Sequence, residues 1–188
     1  MPSAKRKTDR RTLYTRKVIK QAVLDLLSEK DYFQITVTDI CKRAELSRGT
    51  FYLHYENISQ IVDELIEEVL EQTAPLYEHL EQQVSNTESF TFPLCQLLRR
   101  DRQYQALFLS DSLRERIVDR LSQHSHDGIA AAITSSGKFT EKELQALRVF
   151  QMNGCLAVCK QHIALPDEEW SDIQCSIDRL LQFGFQSS

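Results

Sequence analysis

Arg48, Thr50, Tyr52 and His54 fall within Ser47-Arg48-Gly49-Thr50-Phe51-Tyr52-Leu53-His54-Tyr55, a run too short for a core helix yet dense in hydrogen-bonding groups. A guanidinium such as that of Arg48 matches the acceptor edge of guanine, and the Thr50 hydroxyl reaches a base or a phosphate. Tyr52 and His54 have the length and polarity to do the same. Gly49 carries no Cβ, so the backbone there lets a ligand approach closely. Phe51 has the character of an inward anchor. Tyr55 ends the run, where it either packs inward beside Phe51 or closes the DNA-facing surface. The plain alternative is a solvated helix face over a packed aromatic.

Other reactive side chains form weaker patterns. Cys155, Cys159 and His162 stand at i, i+4 and i+7, so they share a helix face with the spacing to ligate a soft metal or sense oxidants. Cysteine also behaves as a small buried apolar residue, and with Gly154 and Ala157 alongside, close helix packing is the expectation. No metal or cofactor is assigned. His124 and His126 do not share a helical face. The absence of a nucleophile–base set and of any Glu-x-x-His pair argues against an enzyme. Five cysteines with no CxxC pair, and no secretory segment in front, suit a reducing cytoplasm. No apolar run approaches the roughly 20 residues of a membrane-spanning helix.

Charge separates the two ends of the chain. Residues 1–55 carry 12 basic and 6 acidic side chains, against 11 basic and 21 acidic in the remainder. A front of +6 and a back of −10 suit a protein whose first part meets a polyanion. Only five Gly and four Pro, with little apolar alternation, predict an all-α chain.

The pattern divides the chain into a flexible basic arm (1–13), a three-helix domain (14–56) with the helix-turn-helix spacing, and a larger helical domain (57–188). Ile19, Ala22, Val23, Leu26 and Leu27 predict a first helix from about Tyr14 to Lys30. Thr36 with Asp39 reads as a capped start for a second helix, and Ser47 for a third. Only Ala44-Glu45-Leu46 lies between them, so the two must cross steeply. Asn57 with Gln60 caps a fourth helix that connects the basic and acidic parts and is expected to stop near Pro75, before another helix at 76–85. Polar breaks are expected at 85–92 and 135–138. Further helices are read from Pro93 and across 103–134. Thr140 and Glu143 open a helix to about His162, and Leu165-Pro166-Asp167 leads into a last one bearing Trp170, Ile173, Ile177, Leu180 and Leu181 on one face.

The stretch ITVTDICKRAELSRGTFYLHYENISQIVDEL resembles the DNA-binding segment of the TetR family of bacterial transcription regulators, the likeness spanning about residues 14–66. It implies an all-helical homodimer whose third helices enter successive major grooves of double-stranded operator DNA. It also implies a C-terminal domain that holds dimer contacts and a small-molecule effector pocket. Family members commonly contact DNA at positions matching Thr38, Arg48, Thr50, Tyr52 and His54. The DNA-binding set is therefore Thr38, Ser47, Arg48, Gly49, Thr50, Tyr52, His54 and Tyr55. Two residues depart from the family pattern: Glu45 replaces the usual turn glycine, and Ile58 replaces a lysine after the fourth helix's cap. The stretch LLRRDRQYQALFLSD is similar to a subgroup from low-GC Gram-positive bacteria that includes dihydroxyacetone-kinase regulators. The function implied is effector-released repression, with a co-regulator acting mainly through a protein partner as the alternative.

Overall fold

The computed structural model describes residues 3–83, 93–123 and 139–186. Its elements are α1 (Ser3–Glu29), a 3-10 turn (Tyr32–Gln34), α2 (Val37–Arg43), α3 (Arg48–Tyr52) and α4 (Ile58–Gln83). They continue as α5 (Pro93–Arg100), a second 3-10 turn (Arg102–Tyr104), α6 (Gln105–Phe108), α7 (Arg114–Gln123), α8 (Glu141–His162) and α9 (Asp167–Gln186). The architecture is all-α, with no strand among the described residues. None of the described helices is long and apolar enough to cross a membrane. The breaks expected at 85–92 and 135–138, and His124 and His126, lie outside the described residues.

Two helices run further than their apolar patterns suggest. α1 begins at Ser3, so the stretch expected as an irregular arm is helical from that residue on. Apolar spacing marks only the part of a helix that packs, from Ile19 onward here; Ala4, Lys5, Arg6 and Lys7 are good helix formers that need no core contact. α4 likewise continues through Pro75 to Gln83, absorbing the separate helix expected at 76–85. A proline inside a helix removes one backbone donor, the partner of the carbonyl four residues earlier. Just before it, the buried Thr73 hydroxyl donates to the Leu70 carbonyl at 3.0 Å.

The chain forms two compact units. The first comprises Met1–Glu67 and Gln103–Leu113. Ile19 and Val23 of α1, Ile40 of α2, Phe51 of α3, and Ile61 and Val62 of α4 are each fully buried there. α6 packs on α1, bringing in Leu107 and Phe108. A domain of only residues 14–56 buries too small a fraction of its surface to be secure. The early turns of α4 and the segment 103–113 enlarge its core, so the unit extends past the boundary expected at 56/57.

The second unit comprises Glu68–Arg102 and Arg114–Ser188. α8 packs against α7 and α5, burying Leu144, Met152, Leu156 and Cys159 from its inner stripe. Its start is the expected capping box, with the Thr140 amide donating to the Glu143 carboxylate at 2.7 Å. Arg99 of α5 holds the α8–α9 turn: it donates to the Ile163 carbonyl at 2.9 Å, pairs with Asp167, and lies over the Trp170 ring at 5.1 Å. Gly154 is exposed, and a Cβ there would meet nothing within 4 Å, so close packing at this glycine is not made within the chain. Among the described side chains of the α9 stripe, Trp170 is buried, Ile173 and Ile177 are half-buried, and Leu180 is exposed.

Candidate nucleic-acid interface

α2 starts on a capping box: the Thr36 amide donates to Asp39 at 2.9 Å, and the Asp39 amide donates to the Thr36 hydroxyl at 3.2 Å. Lys30 donates to the same carboxylate at 2.7 Å. These donors, Lys30 foremost, hold Asp39 well below the ordinary carboxylate range. At the other end Arg43 grips Glu29 with two hydrogen bonds, tying α2 to the end of α1.

The turn into α3 is set by its backbone. Glu45 adopts φ 53, the left-handed region, while the Leu46 amide reaches the Cys41 carbonyl at 2.9 Å and the Glu45 amide reaches Lys42 at 3.4 Å. This is the helix ending that glycine usually supplies. The strain expected at Glu45 is therefore present. Ser47 then caps α3, its hydroxyl accepting from the Thr50 amide at 3.0 Å and lying 2.9 Å from the Thr50 hydroxyl.

Phe51 is fully buried and anchors α3 from below. Tyr55 is 1 % exposed, and the Arg16 guanidinium lies 4.6 Å from its ring centroid. That burial removes Tyr55 from the DNA-facing set: its ring faces the core beneath α3. Arg16 also pairs with Glu64 of α4, which accepts from Lys20 at 3.0 Å as well. Burial pushes the Glu64 carboxyl up, but the two cations outweigh it and its pKa lies below the usual value.

Above these anchors the remaining residues come together. Thr38, Ser47, Arg48, Gly49 and Tyr52 are exposed; Thr50 and His54 are half-buried. Arg48 donates to the Thr38 hydroxyl, joining the surfaces of α2 and α3. The assembled patch offers a guanidinium, several hydroxyls, a phenol and an imidazole, all suited to phosphate and base edges. Ile58, first residue of α4, is half-buried beside the cap in which Asn57 accepts from the Gln60 amide at 2.9 Å.

Three contributors are not evident from the pattern of residue types. Arg16 looks like one more cation of the basic front, and only the fold brings it over Tyr55. Tyr32 joins the first 3-10 turn to α4 through a 2.8 Å contact with the Ser59 hydroxyl. Leu53 is 82 % exposed beside Tyr52. Its neighbours three and four positions on, Glu56 and Asn57, are polar, and that is the available sign that it lies off the core stripe. Cys155, Cys159 and His162 do not form a metal centre: among the described residues no three His, Cys, Asp or Glu side chains are placed to hold an ion.

A short helix set by its own cap across a tight turn from a second one, with α2 packed on α1 and α3 on α2, defines a helix-turn-helix protein. Residues 19–65 match the family model of bacterial regulatory proteins of the tetR family. Over 60 residues the chain is 42% identical to the "Uncharacterized HTH-type transcriptional regulator YxbF" of Bacillus subtilis (strain 168), covering 31% of this chain and 16% of that protein. Over 58 residues it is 33% identical to the HTH-type dhaKLM operon transcriptional activator DhaS of Lactococcus lactis subsp. lactis (strain IL1403), covering 31% of each. The matches thus span under a third of these curated relatives. The crystal structure of a TetR transcriptional regulator from Streptococcus agalactiae 2603V superposes with a TM-score of 0.55 at 26% identity, covering 91% of this chain and 97% of that one. Residues 19–65 thus carry a TetR-type DNA-binding segment, and the fold is similar to that of a TetR transcriptional regulator.

Proposed function

We propose that this regulator works in the cytoplasm as a homodimeric repressor, binds double-stranded operator DNA through α3 and is released by a small, partly apolar effector. The observation that carries the DNA-binding reading is the patch of exposed Thr38, Ser47, Arg48, Gly49 and Tyr52 with half-buried Thr50 and His54, anchored by Phe51. Half-sites one helical turn apart, roughly 34–36 Å, suit two such helices related by a dyad. Pairing through α8 and α9 is supported by exposed apolar side chains, with Phe150 75% and Leu180 73% accessible. Effector release rests on coupling: a ligand shifts operator affinity only by its differential affinity for the two states, so operator must weaken effector binding by the same factor. No chemistry is assigned to the chain beyond binding.

The test is binding of the purified protein to its own upstream DNA across a salt series. Arg48→Ala and Tyr52→Ala should each weaken specific binding at least tenfold without altering helix content or oligomeric state. Unchanged affinity in both variants, for a site the parent protein binds, would overturn the assignment of α3. A second reading, a co-regulator working mainly through a protein partner, is favoured by the apolar Ile58 at the position of the family's phosphate-binding lysine. The similarity to a relative named as a transcriptional activator bears on the sign of regulation, which transcription from the bound site with and without the protein decides. Absence of specific DNA binding by the parent protein would support the co-regulator.

A further inference from the structure

Cys95 of α5 and Cys159 of α8 stand 64 residues apart in sequence, yet their sulfurs lie 2.8 Å apart, the Cys159 thiol donating to the other. Both are buried, at 5% and 0% exposure, on helices that pack directly against each other. All five cysteines carry thiols. Ordinary apolar packing would suit cysteine without bringing sulfur onto sulfur. A disulfide bond of about 2.05 Å needs the sulfurs to close by less than about 1 Å.

We propose that Cys95 and Cys159 are an oxidation site, a facing dithiol that a hydroperoxide converts to an intramolecular disulfide fastening α5 to α8. One sulfur attacks the peroxide, whose O–O bond breaks to leave a sulfenic acid on that cysteine and release alcohol, or water from hydrogen peroxide. The second sulfur displaces the sulfenic oxygen, which leaves as water with the thiol proton. Two thiols and one hydroperoxide thus give one disulfide, one alcohol and one water, two electrons passing from sulfur to the peroxide.

Cys155 is the least buried of the three neighbouring thiols. It lies one turn before Cys159 on the same helix face and is half-buried rather than sealed. The hydrogen bond from Cys159, burial and the proximity of Cys155 push the Cys95 thiol well above its usual pKa. Little thiolate is present at rest, so the first sulfur reacts slowly and the nearness of the second is what favours the disulfide once a sulfenic acid has formed.

The experiment treats the reduced full chain with hydrogen peroxide, unfolds it, alkylates the remaining thiols and maps the peptides by mass. The expected result is a peptide pair joined through Cys95 and Cys159, two hydrogens lighter than its parts, with three of the five thiols still alkylated and the link reversed by dithiothreitol. Cys175→Ser should keep the link, whereas Cys95→Ser and Cys159→Ser should lose it. A dominant link through Cys175 between chains, or higher oxidation of Cys155 while Cys95 and Cys159 stay fully alkylated, would overturn the proposal. Mapping on the unaltered chain separates these outcomes even if a serine variant fails to fold.

Discussion

The nearest atom that a Cβ on Gly49 would meet is the Ser47 Oγ, 3.7 Å away, an ordinary van der Waals contact. Nothing within the protein therefore requires glycine at this exposed position of α3. A methyl group there would intrude only on something arriving from outside. Gly49→Ala should stabilise the protein, by up to about 1 kcal/mol through helix propensity. The same change should weaken operator binding several-fold, because DNA must approach the backbone. Urea titration and a binding isotherm on one preparation check both. Affinity at or above that of the parent would show that DNA does not approach α3 at Gly49.

Ile58 opens α4 half-buried, where a lysine would place a cation near the DNA backbone. Ile58→Lys should tighten binding to all DNA sequences about equally. The slope of log K against log salt should steepen by about 0.9, the signature of one further neutralised phosphate. Binding measured at four or five salt concentrations on a specific and a random duplex tests this. An unchanged slope would mean that position 58 does not face a phosphate.

Glu45 holds φ 53 at the α2–α3 turn, a conformation that disfavours any side chain with a Cβ by about 1–2 kcal/mol. Glycine relieves that strain but gains roughly 0.4–1 kcal/mol of freedom in the unfolded chain. Glu45→Gly should therefore stabilise the protein by up to about 1 kcal/mol, while Glu45→Ala should change it by less than about 0.5 kcal/mol. Denaturation midpoints of the two variants decide the matter. Equal midpoints would show that the strain lies elsewhere in the turn.

The caps were the most legible part of the structure. Thr36, Ser47, Asn57 and Thr140 each accept the expected amide three residues on, because a cap is a local geometry that residue type and spacing nearly determine. Apolar periodicity marked the core of α1 but not its start, since the stretch before Ile19 needs no core contact to be helical. Proline was a poor guide at position 75, where α4 continues through a single missing donor. The candidate site was readable as a set of residue types on α3. The removal of Tyr55 and the role of Arg16 were not, because both depend on α1, α3 and α4 meeting in space. The Cys95–Cys159 contact was hidden for the same reason: helix spacing pointed to Cys155 and His162 as companions of Cys159, and the companion found in space comes from α5.

Asp39 carries a pH dependence whose sign follows from its partners. Lys30 at 2.7 Å and the Thr36 amide and hydroxyl at 2.9 and 2.7 Å favour its ionised form, so its folded pKa lies below the unfolded value of about 3.9. A lowered folded pKa gives stability that is present in full above the unfolded value and is lost as pH falls through the folded one. Asp39→Asn keeps an oxygen that can accept from Thr36 but removes the charge facing Lys30. The stability difference between parent and variant should be flat from pH 7 to about 5, then shrink steadily below about pH 4. Glu29, Glu64 and Glu143, whose pKa values are also lowered, titrate in both proteins and cancel in the difference. Urea midpoints at a series of pH values measure the gap directly. A gap that stays constant to the lowest pH at which the chain folds would mean that the capping of α2 does not depend on the Asp39 charge.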